Sequence, residues 1–167
     1  MREKTDTIRL FGLVGDSIVD GPGFRVSIFT QGCPHHCPGC HNPGSHDFEA
    51  GTVWTLDDVE KKFTGNPLLS GITLSGGEPF AQAAACAELA RRAHQKGLNV
   101  WVYSGYTYEK LLEKAQAEEG VDALLKDCLL YTSDAADGGG RAGGRAVSAG
   151  GKVAGAGFSR QPESAPD

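Results

Sequence analysis

Apolar and polar positions follow a regular order along the first 127 residues. Short runs rich in β-branched and aromatic residues predict strands, and longer segments with capping residues at their ends predict helices. The predicted strands cover residues 7–14, 24–30, 71–75, 98–103 and 121–125. The predicted helices begin after Thr55, cover residues 80–96, and begin after Thr107. This order predicts an α/β fold of parallel strands, with ligand chemistry at their carboxyl ends.

Capping residues set the ends of the predicted helices. Thr55 and Thr107 are suited to helix N-termini, because a threonine hydroxyl can accept a hydrogen bond from the first turn. Gly97 is suited to end the helix over 80–96, since the residue after a helix commonly takes a left-handed conformation. Cys86 lies within that helix, and we interpret it as a small buried apolar residue.

Three of the five cysteines lie within eight residues, directly after the predicted strand over 24–30. The spacing Cys33-x3-Cys37-x2-Cys40 lets one short loop bring three thiolates together. Such a set suits an iron–sulfur cluster that keeps one iron open to an external ligand. The alternative is a closed zinc site with three cysteines and one histidine. The candidates for that histidine are His35, His36 and His41.

A second motif, Gly76-Gly77-Glu78-Pro79, follows a predicted strand and precedes a predicted helix. Two glycines let a ligand approach the backbone closely, and exposed peptide groups in such a turn can bind a polar ligand. The carboxylate of Glu78 is an acceptor suited to an ammonium group. The motif alone is common, but together with the cysteine loop it indicates one binding site built from two strand ends.

The two motifs in this order resemble the radical S-adenosylmethionine (SAM) superfamily. The segments over 20–25 and 30–43 are similar to those of the glycyl-radical-enzyme activases. Within that family, the segments over 71–80 and 102–107 most resemble the activases of anaerobic ribonucleoside-triphosphate reductase. Pyruvate formate-lyase activases share the cysteine loop. The similarity covers roughly residues 8–127.

The resemblance implies a C-terminally truncated, partial (βα) radical SAM barrel that holds a [4Fe–4S] cluster and SAM. The implied cluster ligands, which are also the only implied catalytic groups, are Cys33, Cys37 and Cys40. The residues implied to contact the methionine end of SAM are Gly76, Gly77, Glu78 and Pro79. The residues implied to contact its adenine are Gly39, Cys40 and His41.

The same resemblance implies the reaction and the partners. An electron from a flavodoxin-like or other low-potential donor would cleave the S–C5′ bond of SAM. The deoxyadenosyl radical would then take a Cα hydrogen from a glycine of anaerobic ribonucleoside-triphosphate reductase. Two alternatives stay open: a pyruvate formate-lyase activase, and a non-catalytic zinc or electron-transfer module.

Other polar and aromatic residues near the motifs have two interpretations each. Tyr103, Ser104 and Tyr106 follow a strand end, where ligand contact and packing at the barrel rim are both open. Asp20 and Arg25 border the cysteine loop in the predicted arrangement. A structural turn and a surface salt bridge explain these two as well as a functional role does.

The sequence changes character near residue 128. Residues 138–167 are rich in Gly and Ala and show neither the helix nor the strand period, so they cannot bury enough apolar surface to offset ordering. We predict an activase domain over 1–127 and a disordered tail over 128–167. The segment over 129–137 resembles translated sequencing-adapter DNA, which favours a non-native tail over a natural one. A barrel truncated here would be unstable or inactive.

Charge and hydropathy narrow the class further. The net charge of −5 argues against a nucleic-acid binder with a basic surface. No run approaches the roughly 18 apolar residues of a membrane span. Residues 1–10 are charged and lack the apolar core of an export signal, so we predict a cytoplasmic protein with reduced thiols.

Overall fold

The computed structural model describes residues 6–17, 23–35, 40, 43–126, 128–133 and 144–147. The strands are β1 (Thr7–Ser17), β2 (Phe24–Thr30), β3 (Thr52–Thr55), β4 (Leu69–Gly76), β5 (Asn99–Ser104), β6 (Leu129–Ser133) and β7 (Gly144–Val147). The helices are α1 (Leu56–Lys62), α2 (Ala83–Gln95), α3 (Tyr108–Ala117) and α4 (Glu119–Lys126). None of the helices within these ranges has the length and hydropathy to cross a bilayer.

The strands form one mixed, open sheet in the order β3-β1-β2-β4-β5-β6-β7. The central strands β2, β4, β5 and β6 are parallel. β1 is antiparallel to β2 and β3, and β7 is antiparallel to β6. The prediction of parallel strands is therefore right for β2, β4 and β5 and wrong for β1, while the sequence predicts no strand at the positions of β3, β6 and β7. Only a short segment joins β1 to β2, and a parallel pair would need a long crossover.

The two faces of the parallel strands differ in polarity. On one face, apolar residues pack with α2 and its neighbouring helices in the core. The strand residues in this core include Val26, Ile28, Ile72, Leu74, Val100 and Val102. Cys86 of α2 lies in the same core and is fully buried, as predicted. Because side chains alternate along a strand, the residues between them lie on the other face, which is rich in buried polar groups.

The predicted helix caps are confirmed. The hydroxyl of Thr55 accepts a 3.2 Å hydrogen bond from the amide of Asp58, and that of Thr107 accepts one of 3.2 Å from Lys110. Gly97 follows α2 with a φ of +77°, the left-handed conformation that glycine adopts most easily. Local sequence therefore determines where these helices begin and end.

Residues 121–125, predicted as a strand, belong to α4. Val121 and Leu124 are both buried, and Lys126 contacts Asp122 at 2.8 Å. Residues three and four apart are neighbours on a helix surface, so both observations fit a helix. The strand prediction was wrong because a short apolar run has no period that separates a strand from a buried helix.

The region predicted as a disordered tail contains two described strands. β6 pairs in parallel with β5, from Trp101 to Ser104, and β7 pairs with β6. The rest of the predicted tail, residues 134–143 and 148–167, lies outside the described residues. The sheet therefore continues beyond residue 127, and disorder stays a prediction only for the remaining positions.

Arg25 is fully buried at the amino-terminal end of the parallel strands. Its Nε donates to the hydroxyl of Thr73 at 2.8 Å, and its Nη2 donates to the carbonyl oxygen of Ile72 at 2.6 Å. A Cβ on Gly71 would lie 2.7 Å from Nη2, so glycine leaves room for the guanidinium to cross β4. The surface salt bridge proposed for Arg25 is wrong, since this side chain has buried acceptors and no exposed surface.

Candidate functional site

The carboxyl ends of three parallel strands meet at one edge of the sheet. Thr30, the last residue of β2, is in register with Gly76, the last residue of β4, and β5 ends beside them at Ser104. The cysteine loop follows β2, and the Gly-Gly-Glu-Pro turn follows β4. The structure therefore brings the two motifs to neighbouring strand ends.

Backbone hydrogen bonds join the Gly-Gly-Glu-Pro turn to the base of the cysteine loop. The amide of Gly77 donates to the carbonyl oxygen of Thr30 at 2.8 Å, and the amide of Glu78 donates to that of Gly32 at 2.9 Å. A Cβ on Gly77 would lie 2.4 Å from the Gly32 oxygen. Gly76 has a φ of +97°, and its Cβ would lie 2.5 Å from the amide nitrogen of Thr30. The glycine pair therefore sets the spacing between the motifs.

Gln31 closes the base of the cysteine loop. Its side-chain Nε2 donates to the carbonyl oxygens of Gly44, at 2.9 Å, and Asp47, at 2.6 Å. The backbone carbonyl oxygen of Gln31 accepts a 3.1 Å hydrogen bond from Nε2 of Gln82. Its backbone amide donates a 3.0 Å hydrogen bond to the carbonyl oxygen of Arg9. The residue is only 2% exposed, and it ties the chain before the cysteines to the chain after them. Nothing in the sequence marks Gln31 as a site residue, because a single polar residue at a strand end gives no periodic signal.

The described part of the loop includes two of the three predicted cluster ligands. Cys33 is 8% exposed, and its amide donates to the carbonyl oxygen of His46 at 3.2 Å. Cys40 is a half-buried free thiol. The predicted site residues outside the described part are Cys37, Gly39 and His41. No group of three metal-binding side chains forms among the described residues. Two thiols on one anchored loop fit the donor chemistry of an iron–sulfur cluster, and also that of zinc.

Glu78 is fully buried, and its carboxylate contacts four donors of the same chain. Oε1 accepts from the hydroxyl of Ser104 at 2.7 Å and the amide of Gly105 at 2.8 Å, and it lies 2.7 Å from Nε2 of His35. Oε2 accepts from the amide of Phe80 at 3.2 Å. An ionised carboxylate has about four acceptor positions, two on each oxygen, so donors of the chain saturate Oε1 while Oε2 keeps one position for a ligand.

The His35 ring is enclosed by the segment that follows β5. The Tyr106 ring stands edge-on to it, with the ring centroids 4.4 Å apart and the planes at 75°. A Cβ on Gly105 would lie 2.5 Å from Cδ2 of His35. Nζ of Lys114 lies 5.1 Å from the centroid of the tyrosine ring, and burial raises the pKa of the Tyr106 phenol. Ser104 and Tyr106 therefore pack against site residues, whichever ligand the site holds.

Sequence similarity points to the same kind of site. The model of the 4Fe-4S single cluster domain family matches residues 19–132, which is more than half of the chain. The chain therefore belongs to the 4Fe-4S single cluster domain family. The matched region contains the complete cysteine loop and the Gly-Gly-Glu-Pro turn.

Individual relatives have a more specific name. The chain is 34% identical over 102 residues to the anaerobic ribonucleoside-triphosphate reductase-activating protein of Salmonella typhi, over 56% of this chain and 66% of the relative. It is 31% identical over 109 residues to the Vibrio cholerae protein of the same name, over 60% and 70%. The pyruvate formate-lyase-activating enzyme of Clostridium pasteurianum is 30% identical over 114 residues, over 63% and 48%. The chain thus spans slightly less than two thirds of the Salmonella relative.

Proposed function

We propose that this chain is an iron–sulfur- and SAM-dependent activase that generates a glycyl radical on anaerobic ribonucleoside-triphosphate reductase. The observation that carries the proposal is the pair of backbone hydrogen bonds from Gly77 and Glu78 to the base of the cysteine loop. Because of them, a ligand held by the thiols would lie beside the glycine-rich turn. The family's single 4Fe–4S cluster and the names of the relatives support the same reaction.

The proposed roles assign each motif to one part of the cofactors. The cluster would be held by Cys33, Cys37 and Cys40. The methionine end of SAM would be received by Gly76, Gly77, Glu78 and Pro79. The adenine would be contacted by Gly39, Cys40 and His41. A three-cysteine set leaves one iron for SAM, whereas the usual protein cluster has four cysteines.

The cofactors supply the radical chemistry, which is reductive cleavage of SAM followed by removal of a hydrogen atom from a glycine of the partner. The chain itself binds, orients and shields. Gln31 fixes the base of the loop through its bonds to Gly44 and Asp47. Burial of Cys33 limits the access of water to that side of the site. A flavodoxin-like or other low-potential protein would supply the electron.

The open sheet supports the finer proposal of a partial radical SAM barrel. β2, β4, β5 and β6 are consecutive parallel strands, and α2 covers one face of them. Their other face carries buried polar groups such as Ser27 and Thr73. A sector of a parallel barrel has this arrangement, with helices outside and the site at the carboxyl ends of the strands.

A pyruvate formate-lyase activase is the second candidate. The observation that favours it is the 30% identity to the Clostridium pasteurianum enzyme over 114 residues. The two candidates share the cluster and the SAM chemistry and differ only in the protein that receives the radical. The choice between them therefore requires an experiment with both partners.

Co-incubation tests the proposal. The full chain is loaded anaerobically with iron and sulfide, reduced, and mixed with SAM and either anaerobic ribonucleotide reductase or pyruvate formate-lyase. We expect the EPR doublet of a glycyl radical on the reductase. A radical on the lyase alone selects the second candidate. Intact SAM and no radical on either protein would contradict both.

Removal of one predicted ligand provides the matched variant. We expect Cys37→Ala to lose the cluster and all SAM cleavage, because two thiolates cannot hold a cluster with one open iron. Cys86→Ala is the control, since Cys86 is fully buried in α2 and is not part of the cysteine loop. Iron content and methionine release measure both variants. Cleavage by Cys37→Ala at the parental rate would show that the ligand assignment is wrong.

A further inference from the structure

His35 lies two residues after Cys33, inside the cysteine loop, yet its ring contacts groups from two other strand ends. Nε2 is 2.7 Å from Oε1 of Glu78, which follows β4. The ring meets Tyr106 edge-on at 4.4 Å and leaves no room for a Cβ on Gly105, both of which follow β5. One imidazole therefore links all three strand ends of the site.

Glu78 gives this contact its strength. A buried carboxylate is costly unless donors surround it, and a charged acceptor makes stronger hydrogen bonds than a neutral one. The donors around Oε1 are the hydroxyl of Ser104, the amide of Gly105 and the imidazole of His35. The first two belong to β5 and its following turn, so Glu78 is fixed to the sheet whether or not His35 is present. His35 is the group that attaches the loop to this fixed carboxylate.

We infer that His35 is a positioning residue, which Glu78, Ser104, Gly105 and Tyr106 hold in place so that the first turn of the cysteine loop stays docked on the ends of β4 and β5. These five residues form the loop latch. The latch assigns Glu78 a role that acts through His35, in addition to the contact with the SAM amino group implied by the resemblance. The inference deepens the proposed function and rests on it for the identity of the ligand at Cys33.

The substitutions at His35 separate the hydrogen bond from the ring packing. Phenylalanine keeps an aromatic ring beside Tyr106 but cannot donate to Glu78. Glutamine loses the ring but carries an amide that can donate to Oε1. If the hydrogen bond holds the loop, His35→Gln retains more of the docked state than His35→Phe. The control is His94→Phe, because His94 is exposed near the end of α2.

Glu78→Gln tests the same bond from the other side. With its oxygen at the Oε1 position, the amide keeps the acceptor for Ser104 and Gly105 but turns an N–H group toward the amide of Phe80. With its oxygen at the Oε2 position, an N–H group faces those donors instead. The variant is isosteric, yet the first orientation sets its N–H group against one donor and the second against the three donors around Oε1. Both orientations remove the charge that strengthens the bond to His35.

Hydrogen exchange of the metal-free full chain measures loop docking without any dependence on SAM chemistry. In the docked loop, the backbone amide of Gly32 donates to the carbonyl oxygen of Ser45, and that of Cys33 donates to the carbonyl oxygen of His46. We expect His35→Phe and Glu78→Gln each to accelerate exchange of these amides by about tenfold or more, as loss of a charge-assisted bond predicts. We expect the variant that combines His35→Phe with Glu78→Gln to exchange no faster than the faster of the two single variants. We expect His94→Phe to exchange at the rate of the parent.

Three results would overturn the latch. Exchange within twofold of the parent in His35→Phe would show that the loop does not depend on this bond. Additive effects in the double variant would show that the two residues act separately. Loss of zinc or iron binding in His35→Phe with unchanged exchange in the metal-free chain would make His35 a metal ligand. If His35→Phe does not fold, Ser104→Ala gives the same readout, since it removes one donor to Glu78 and the acceptor for the Tyr106 amide.

The outcome is separable from that of the proposed function. A chain that passes the exchange test but cleaves no SAM keeps the latch and loses the proposed activity. A chain that cleaves SAM and forms the glycyl radical, with exchange unaffected by His35→Phe, keeps the activity and loses the latch.

Discussion

Both ends of the parallel strands bury a charged side chain, but different parts of the chain hold the two charges. At the amino ends, the guanidinium of Arg25 donates to Thr73 and to the backbone of Ile72, both within β4. At the carboxyl ends, the carboxylate of Glu78 contacts His35 of the cysteine loop, Ser104 at the end of β5 and the turn after it. The first charge connects two regular strands, and the second connects the cysteine loop and the Gly-Gly-Glu-Pro turn to the end of β5.

This difference separates stability from function. Contacts between regular strands strengthen the sheet whatever ligand the protein binds. Contacts between loops at the carboxyl ends fix the positions of groups that meet a ligand, as is general in parallel barrels. We therefore expect damage near Arg25 to lower stability, and damage near Glu78 to lower activity per folded molecule.

The largest effect is expected at the contact between the two motifs. In Gly77→Ala, the new Cβ would lie 2.4 Å from the Gly32 oxygen and push the turn away from the cysteine loop. A displacement of this kind can cost about 100-fold in rate, so we expect SAM cleavage per iron-loaded chain to fall by about that factor. The control is Gly12→Ala, where a Cβ would have open space. Parental cleavage in Gly77→Ala would show that the spacing of the motifs is not critical.

A substitution at the amino ends of the parallel strands should lower stability and leave the rate of SAM cleavage nearly unchanged. In Gly71→Ala, the Cβ would lie 2.2 Å from the carbonyl oxygen of Asn99 and 2.7 Å from Nη2 of Arg25. Overpacking of this kind costs about 1–3 kcal/mol, which urea unfolding of the full chain measures. We expect SAM cleavage per folded chain to stay within a few-fold of the parent. A loss of cleavage without a loss of stability would contradict the division between the two ends.

A substitution of Glu88, on the outer face of α2, should have the smallest effect. Hydrogen bonds from Arg91, with help from Arg92, lower the pKa of Glu88 to about 2. A carboxyl group with a lowered pKa in the folded state stabilises the protein above its unfolded pKa of about 4.3, and this contribution is lost as the pH falls toward 2.

Comparison with Glu88→Gln at several pH values measures this contribution. We expect the parent to be more stable by about 1 kcal/mol or less at pH 7, as is usual for ion pairs near the surface. The difference should shrink below about pH 4.3 in urea unfolding, with no change in SAM cleavage at neutral pH. A difference that grows as the pH falls would have the wrong sign for this ion pair.

Local signals in the sequence predicted local features of the fold. Thr55, Thr107 and Gly97 mark helix ends in the structure as the sequence indicated, and the main strands lie where apolar runs predicted them. The placement of the two motifs at adjacent strand ends followed from the order of strands and helices. These features depend on residues close together in sequence, or on general rules of parallel sheets.

Features that depend on distant residues could not be predicted. His35 and Glu78 are 43 residues apart, and Arg25 and Thr73 are 48 apart. Nothing near Arg25 in the sequence shows that Gly71 leaves space for its guanidinium. α4 was predicted as a strand for a related reason, because the partner that buries Val121 and Leu124 decides the type of element that a short apolar run forms.

The proposed function requires that the cysteine loop and the Gly-Gly-Glu-Pro turn form one site for a cluster and SAM. Metal analysis of the anaerobically loaded full chain, together with EPR of its reduced form before and after addition of SAM, examines that site itself. We predict about four irons per chain and a cluster signal that changes when SAM is added. One zinc per chain with no cluster signal, or a cluster signal that SAM leaves unchanged, would contradict it.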